Sequence, residues 1–178
     1  MVEETQTLPS YEQDPSYYSD WGDPREYTIE DMGVGECAGE VVPYVEVGLA
    51  NSEREIFEAQ VMLDEGNVAG AGQRAYSAML QAARALARER NSQLGTEPDE
   101  IVREFRTSLV DTQMFWDQYA GGKFAQYFFK AHDEKGVTST KEAAHQLVEE
   151  AQLFVDAAHQ CYTKYGASLS APAARVTP

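Results

Sequence analysis

Gly66-Asn67 constrains this chain more than any other feature, because it separates two long runs of helical periodicity by only two residues. Upstream, Val45, Leu49, Ile56, Ala59 and Leu63 recur near the 3.6-residue period from Pro43 onward. Downstream, Gly72, Ala75, Tyr76, Met79, Ala82, Ala83 and Leu86 mark one face of a helix expected over about Val68–Arg90. Glycine suits the end of one helix and asparagine caps the start of the next. Two long helices joined this tightly must fold back antiparallel. The many small residues on the second helix let a neighbouring helix approach closely.

The remaining segments continue the helical pattern. Residues 91–95 break it. Thr96 is then expected to cap a third helix, with Pro98 in its first turn, Asp99 near its positive end, and Ile101, Val102, Phe105 and Leu109 on its core side. Seven aromatics follow within residues 115–129, interrupted by Gly121-Gly122, and predict one short helix and a second from about Lys123 to Asp133, stopped by Gly136. Ser139 and Glu142 form a capping-box pattern for the last helix. Its apolar face is Ala144, Leu147, Ala151, Phe154, Ala158, Cys161 and Tyr165, with Gly166 as the expected stop. No β-type alternation occurs. The expected class is therefore all-α, an up-and-down bundle of four to five helices over 43–166. An irregular acidic segment lies at 1–42 and a disordered tail at 167–178.

Charge narrows the function. The chain carries 30 acidic and 14 basic residues, formally −16. Residues 1–40 alone hold 11 acids against one base, Arg25, and the remainder 19 acids against 13 bases. Such a surface repels phosphate backbones, so no nucleic-acid partner is expected. No run of 18 apolar residues occurs, and the first residues lack the basic and apolar regions of a signal peptide, so no membrane partner and a cytoplasmic location are expected. Residues 1–42 hold prolines, tyrosines and Trp21 without a persistent period, and gain order only by packing on something else, either the bundle or a partner.

Patterns that suggest chemistry have plainer readings. Gly33-x-Gly35-x-x-x-Gly39 lacks the preceding strand and following helix of a dinucleotide loop and reads as a turn. Glu142-x-x-His145 and Asp156-x-x-His159 each share a helix face, as in di-iron bundles. Here both lie on one helix, 14 residues and about 21 Å apart, too far to share an ion. Cys37 and Cys161 have no metal-ligand spacing and read as reduced thiols, Cys161 in the core. No Gly-x-Ser-x-Gly elbow is present. Arg84, Arg88 and Arg90 either bind an anion, pair with acids such as Glu89 or Glu104, or face solvent. No catalytic, cofactor-binding or metal residue is therefore assigned, and no cofactor is expected in this chain.

Two resemblances add to this reading. The hairpin over 52–91, especially Glu58-Ala59-x-x-Met62-Leu63-x-x-Gly66 leading into Ala75-Tyr76-x-Ala78-x-x-x-Ala82-Ala83-x-Ala85-Leu86, resembles the HEPN superfamily of helical bundles. That resemblance implies four or five helices and a tendency to dimerise. Some members are metal-independent RNases using an arginine, four to six intervening residues and then a histidine; His132, His145 and His159 have no arginine five to seven positions upstream. Asp20-Trp21-Gly22, then Gly33-Val34-Gly35-Glu36-Cys37-Ala38-Gly39-Glu40, followed by the hairpin, is similar to the C-terminal extension of some bacterial ferredoxin-type nitrite/sulfite reductases. That similarity implies a parent enzyme working through sirohaem and a [4Fe–4S] cluster. The cluster needs four cysteines, and this chain has two.

The resulting expectation is a non-enzymatic accessory domain of such a reductase. The alternative is a stand-alone HEPN-like protein pairing with a nucleotidyltransferase in a toxin–antitoxin-type module. The neighbouring reading frame separates the two. Trp116, Tyr119 and Tyr127 are the expected partner contacts, for either the reductase catalytic body or a second copy. The competing arrangement has Gly121-Gly122 fold two short helices over the hairpin and bury every ring.

Overall fold

A computed structural model describes residues 42–169 of the chain. Contacts divide the chain after Val41, and the unit beginning at Val42 holds every helix described here. The order is α1 (Tyr44–Asp64), α2 (Val68–Arg90), α3 (Pro98–Phe105), a π-helical turn (Arg106–Val110), α4 (Lys123–Asp133) and α5 (Lys141–Leu169). Among the described residues there is no strand, only one isolated bridge between Asp117 and Gly121. The class is all-α, a helical bundle. No described helix is long and apolar enough to cross a membrane.

The α1–α2 turn follows from its two residues. Gly66 takes φ +82°, and the Asn67 N–H reaches the Met62 carbonyl at 2.8 Å, closing the C-terminus of α1. Asn67 Oδ1 then accepts from the Gly70 N–H at 3.0 Å, capping α2. The two helices pack through small residues. A β-carbon on Gly48 would sit 2.6 Å from Ala85 Cβ, and Ala71, Ala75, Ala78 and Ala82 are all buried. Polar pairs also cross this contact, among them Arg74 Nη1, which donates to both Glu55 oxygens at 3.0 and 2.9 Å and lies 3.1 Å from Glu58 Oε2. Helix α5 lies against both α1 and α2.

The shorter elements are held by an aromatic cluster. Phe105 from α3 meets Phe115, Phe128 and Phe154 at ring-centroid distances of 5.0, 5.5 and 5.6 Å. Phe154 from α5 meets Phe115 at 5.2 Å and Phe128 at 5.1 Å. Burying these rings is the main drive that folds residues 98–133 onto the long helices.

Four local expectations are corrected. Thr96 is not the cap of α3; Glu97 holds the N-cap position without a side-chain bond, and Pro98 begins the helix. Residues 111–122 form turns instead of a short helix, because the side chain of Asp117 and the positive φ of Gly121 close a loop there. The cap of α5 is Thr140, whose Oγ1 accepts from the Ala143 N–H at 3.1 Å, one residue after Ser139. Gly166 does not stop α5, which runs on to Leu169 with the Tyr162 ring packed beside Gly166. Residues 1–41 and 170–178, including Cys37, Trp21 and the Gly33–Gly39 pattern, lie outside the described residues.

Candidate functional site

The loop between the π-helical turn and α4 is built around Asp117. Its Oδ1 accepts from the Tyr119 and Ala120 N–H groups at 2.8 and 2.6 Å. Its backbone exchanges hydrogen bonds with Gly121, at 3.1 and 2.8 Å. Gly121 has φ +61°, and the Trp116 ring lies across it so closely that a β-carbon there would be 3.3 Å from the ring. This closure fixes the loop while leaving Trp116 55% and Tyr119 90% exposed.

Beneath these rings lies a recess of about 370 Å³, lined from the loop side by Phe115, Trp116, Tyr119 and Phe124 and from α5 by Cys161 and Lys164 among others. Cys161 Sγ lies 3.5 Å from the Met114 carbonyl. Burial pushes its thiol up to about 11, against a smaller downward pull from Lys164, so it is a protonated, unreactive wall at neutral pH. The Lys164 ammonium lies 4.9 Å from the Tyr165 ring centroid at the rim.

Of the three expected contact residues, the structure brings Trp116 and Tyr119 together at this recess. Tyr127 is half-buried away from it, its ring 6.2 Å from that of Phe124 and 5.7 Å from Lys123 Nζ. The segment therefore divides its aromatics. Phe115, Phe128 and Phe129 are core, while Trp116 and Tyr119 face solvent.

A second arrangement was not visible in the sequence. His132 on α4 bridges Tyr76 on α2 and Asp99 on α3, with Nδ1 2.9 Å from Tyr76 Oη and Nε2 3.0 Å from Asp99 Oδ1. A neutral imidazole protonated on Nε2 satisfies both, accepting from the phenol and donating to the carboxylate. Burial, then the Asp99 charge, raises the Tyr76 phenol above its ordinary range. Neither Tyr76 nor His132 lines a described recess; the Tyr76–His132 contact clamps α4 to α2, while Asp99, 94% exposed, adds a surface contact from α3. Only tertiary packing brings residues 76, 99 and 132 together, and no local spacing signals it.

The other singled-out side chains have structural partners. Arg84 Nε donates to the Gly95 carbonyl and Nη1 to Tyr44 Oη, both at 2.7 Å. Arg88 donates to the Ser92 carbonyl at 3.2 Å and stacks 4.3 Å over the Tyr44 ring. Arg84 and Arg88 thus reach carbonyls just beyond the C-terminal end of α2. His145 lies 3.6 Å from Glu149. His159 Nε2 lies 2.9 Å from Glu53 Oε1 but off the line a hydrogen bond needs. Among the described residues, no three His, Cys, Asp or Glu side chains gather closely enough to hold a metal ion.

One surface escaped the sequence reading altogether. Helix α1 carries Val47, Phe57 and Val61 on its solvent side, opposite the core stripe, with Phe57 65% exposed. No protein-family model matches the chain, and no curated protein matches it.

Proposed function

We propose that this bundle is a non-catalytic interaction domain of a sirohaem-dependent nitrite/sulfite reductase, and that it contacts the catalytic body through the Trp116–Tyr119 loop. The observation that carries the docking half is the exposure of Trp116 and Tyr119 on a loop closed by Asp117 and Gly121. A pre-ordered aromatic beside a recess of mixed polarity loses little entropy on binding, and exposed aromatics of this kind anchor protein contacts. The resemblance of residues 20–22 and 33–40 to the reductase extension supplies the partner. In this reading sirohaem and the [4Fe–4S] cluster belong to the catalytic body. The chain's two cysteines, one of them the buried Cys161 thiol, do not fit a ligand set of four thiolates.

The test is sedimentation of the full chain with a purified ferredoxin-type reductase body from the same genome. Co-sedimentation is expected, and Trp116→Ala/Tyr119→Ala should abolish it while keeping the wild-type helical circular dichroism. A wild-type chain that binds neither the body nor itself would refute the proposal. So would a double variant that unfolds, since the rings would then be core.

A further inference from the structure

The solvent side of α1 repeats with coiled-coil spacing. Val47, Ala50, Arg54, Phe57 and Val61 follow one another at intervals of three, four, three and four residues, and all five are exposed. They form a seam about 21 Å long on the face opposite the core stripe of Val45, Leu49, Ile56 and Leu63. Helix α1 is thus apolar on two faces, the pattern of a helix packed between neighbours, yet only one face has a described neighbour. Phe57, 65% exposed near the seam's middle, has the area of an anchor.

The flanks indicate what covers the seam. In heptad terms the positions bordering it are Glu46, Glu53 and Gln60 on one side and Asn51, Glu58 and Glu65 on the other. Four of these six are acidic and none is basic; Glu58 also meets Arg74 at 3.1 Å and Glu53 lies 2.9 Å from His159, which leaves Glu46 and Glu65 as the acids at the two ends of the seam. Arg54 is the only cation on α1, sits within the seam, and lies 3.8 Å from Glu58. A second copy would set acid against acid at the flanks and, on a two-fold axis through the seam's centre, Arg54 against Arg54. Each copy would also bring a net charge of −16. Flanking charges set partner choice in helix pairing, and this seam is matched by opposite sign.

We infer that the outer face of α1 is a docking surface for an amphipathic helix of another protein, one with an apolar heptad seam, basic flanking positions and one carboxylate opposite Arg54. The surface is separate from the Trp116–Tyr119 loop, and the inference stands whether or not that loop binds a reductase.

The probe is a labelled 21-residue synthetic peptide with leucine at the seam positions, glutamate at the position facing Arg54 and lysine at the flanks. Binding to the full chain is read by fluorescence anisotropy in about 0.1 M salt, where charge contacts are only partly screened. Saturable one-to-one binding is expected. Phe57→Glu and, separately, Val47→Glu should weaken it at least tenfold with unchanged helical circular dichroism, while Trp116→Ala leaves it unchanged. A scrambled peptide of the same composition should bind at least tenfold more weakly. Equal binding of the scrambled peptide reduces the effect to bulk charge and overturns the inference. So does no saturable binding below about 1 mM, a Kd indifferent to both variants, or a wild-type dimer that Phe57→Glu dissociates.

Discussion

Phe154→Ala tests the aromatic cluster that joins the short elements to the long helices. The side chain is 0% exposed and touches three rings, those of Phe105, Phe115 and Phe128, at 5.1 to 5.6 Å. Truncating a buried phenylalanine costs about 3–5 kcal/mol, transfer and cavity terms together. Three lost ring pairs, each contributing about 0.5–1.5 kcal/mol beyond area, favour the upper half of that range. A domain of this size is stable by about 5–15 kcal/mol, so the variant should retain a fold with a much lower midpoint. With a urea slope of about 2 kcal/mol/M, the midpoint should fall by about 2–2.5 M at unchanged slope. Phe57→Ala removes the same atoms from a site 65% exposed and should stay within about 0.5 kcal/mol of wild type. A loss below about 1 kcal/mol for Phe154→Ala, or equal losses for both, would show that ring burial on α5 is not what holds residues 98–133 in place.

The Cys161 thiol, raised from 9.0 to about 11 by burial, should stabilise the fold fully below pH 9 and lose that contribution as pH rises towards 11. The stability difference between wild type and Cys161→Ala, from urea melts at several pH values, should shrink over that window by on the order of 1–3 kcal/mol; a constant difference would show the thiol titrates normally when folded. Thr140→Ala should cost about 0.5–2 kcal/mol through loss of the bond to the Ala143 N–H, and Ser139→Ala less than about 0.5; the reverse order in thermal melts would return the cap to Ser139. Gly72→Ala should destabilise by about 1–3 kcal/mol, because its β-carbon would collide with Thr138 Oγ1 and lie 2.6 Å from the Gly136 carbonyl; a variant as stable as wild type in urea would show that this crossing can open.

The α1–α2 hairpin was legible because its determinants are local, a glycine at positive φ and an asparagine cap between two periodic runs. Helix α4 and the buried face of α5 were legible for the same reason. The errors fall where two local signals compete or tertiary packing decides. Ser139 and Thr140 are both capping residues, and the glutamate three positions after Ser139 favoured the wrong one. Gly166 costs a helix only about 1 kcal/mol, which packing of the Tyr162 ring offsets. Asp117 offers its own side chain to the Tyr119 and Ala120 amides, turning a stretch of helix-compatible aromatics into a loop. Tyr119 was readable as exposed only from aromatic crowding, and that crowding also placed Tyr127 at the site. The outer seam of α1 stayed hidden because a second apolar stripe blurs the first.

The His132 clamp limits what evolution can do at one position. Its ring meets the Tyr76 hydroxyl and the Asp99 carboxylate from opposite edges of a rigid plane. Asparagine and glutamine carry donor and acceptor on a single carbon, lysine and arginine only donate, and an ionised carboxylate only accepts. None of these meets both groups as the imidazole does, but Asp99 is 94% exposed and can turn to water, so the half-buried Tyr76 contact is the one a replacement at 132 has to keep. Related sequences should therefore vary at 76 and 132 together, and a substitution scan at 132 in the Tyr76→Phe background should tolerate side chains that the intact chain rejects.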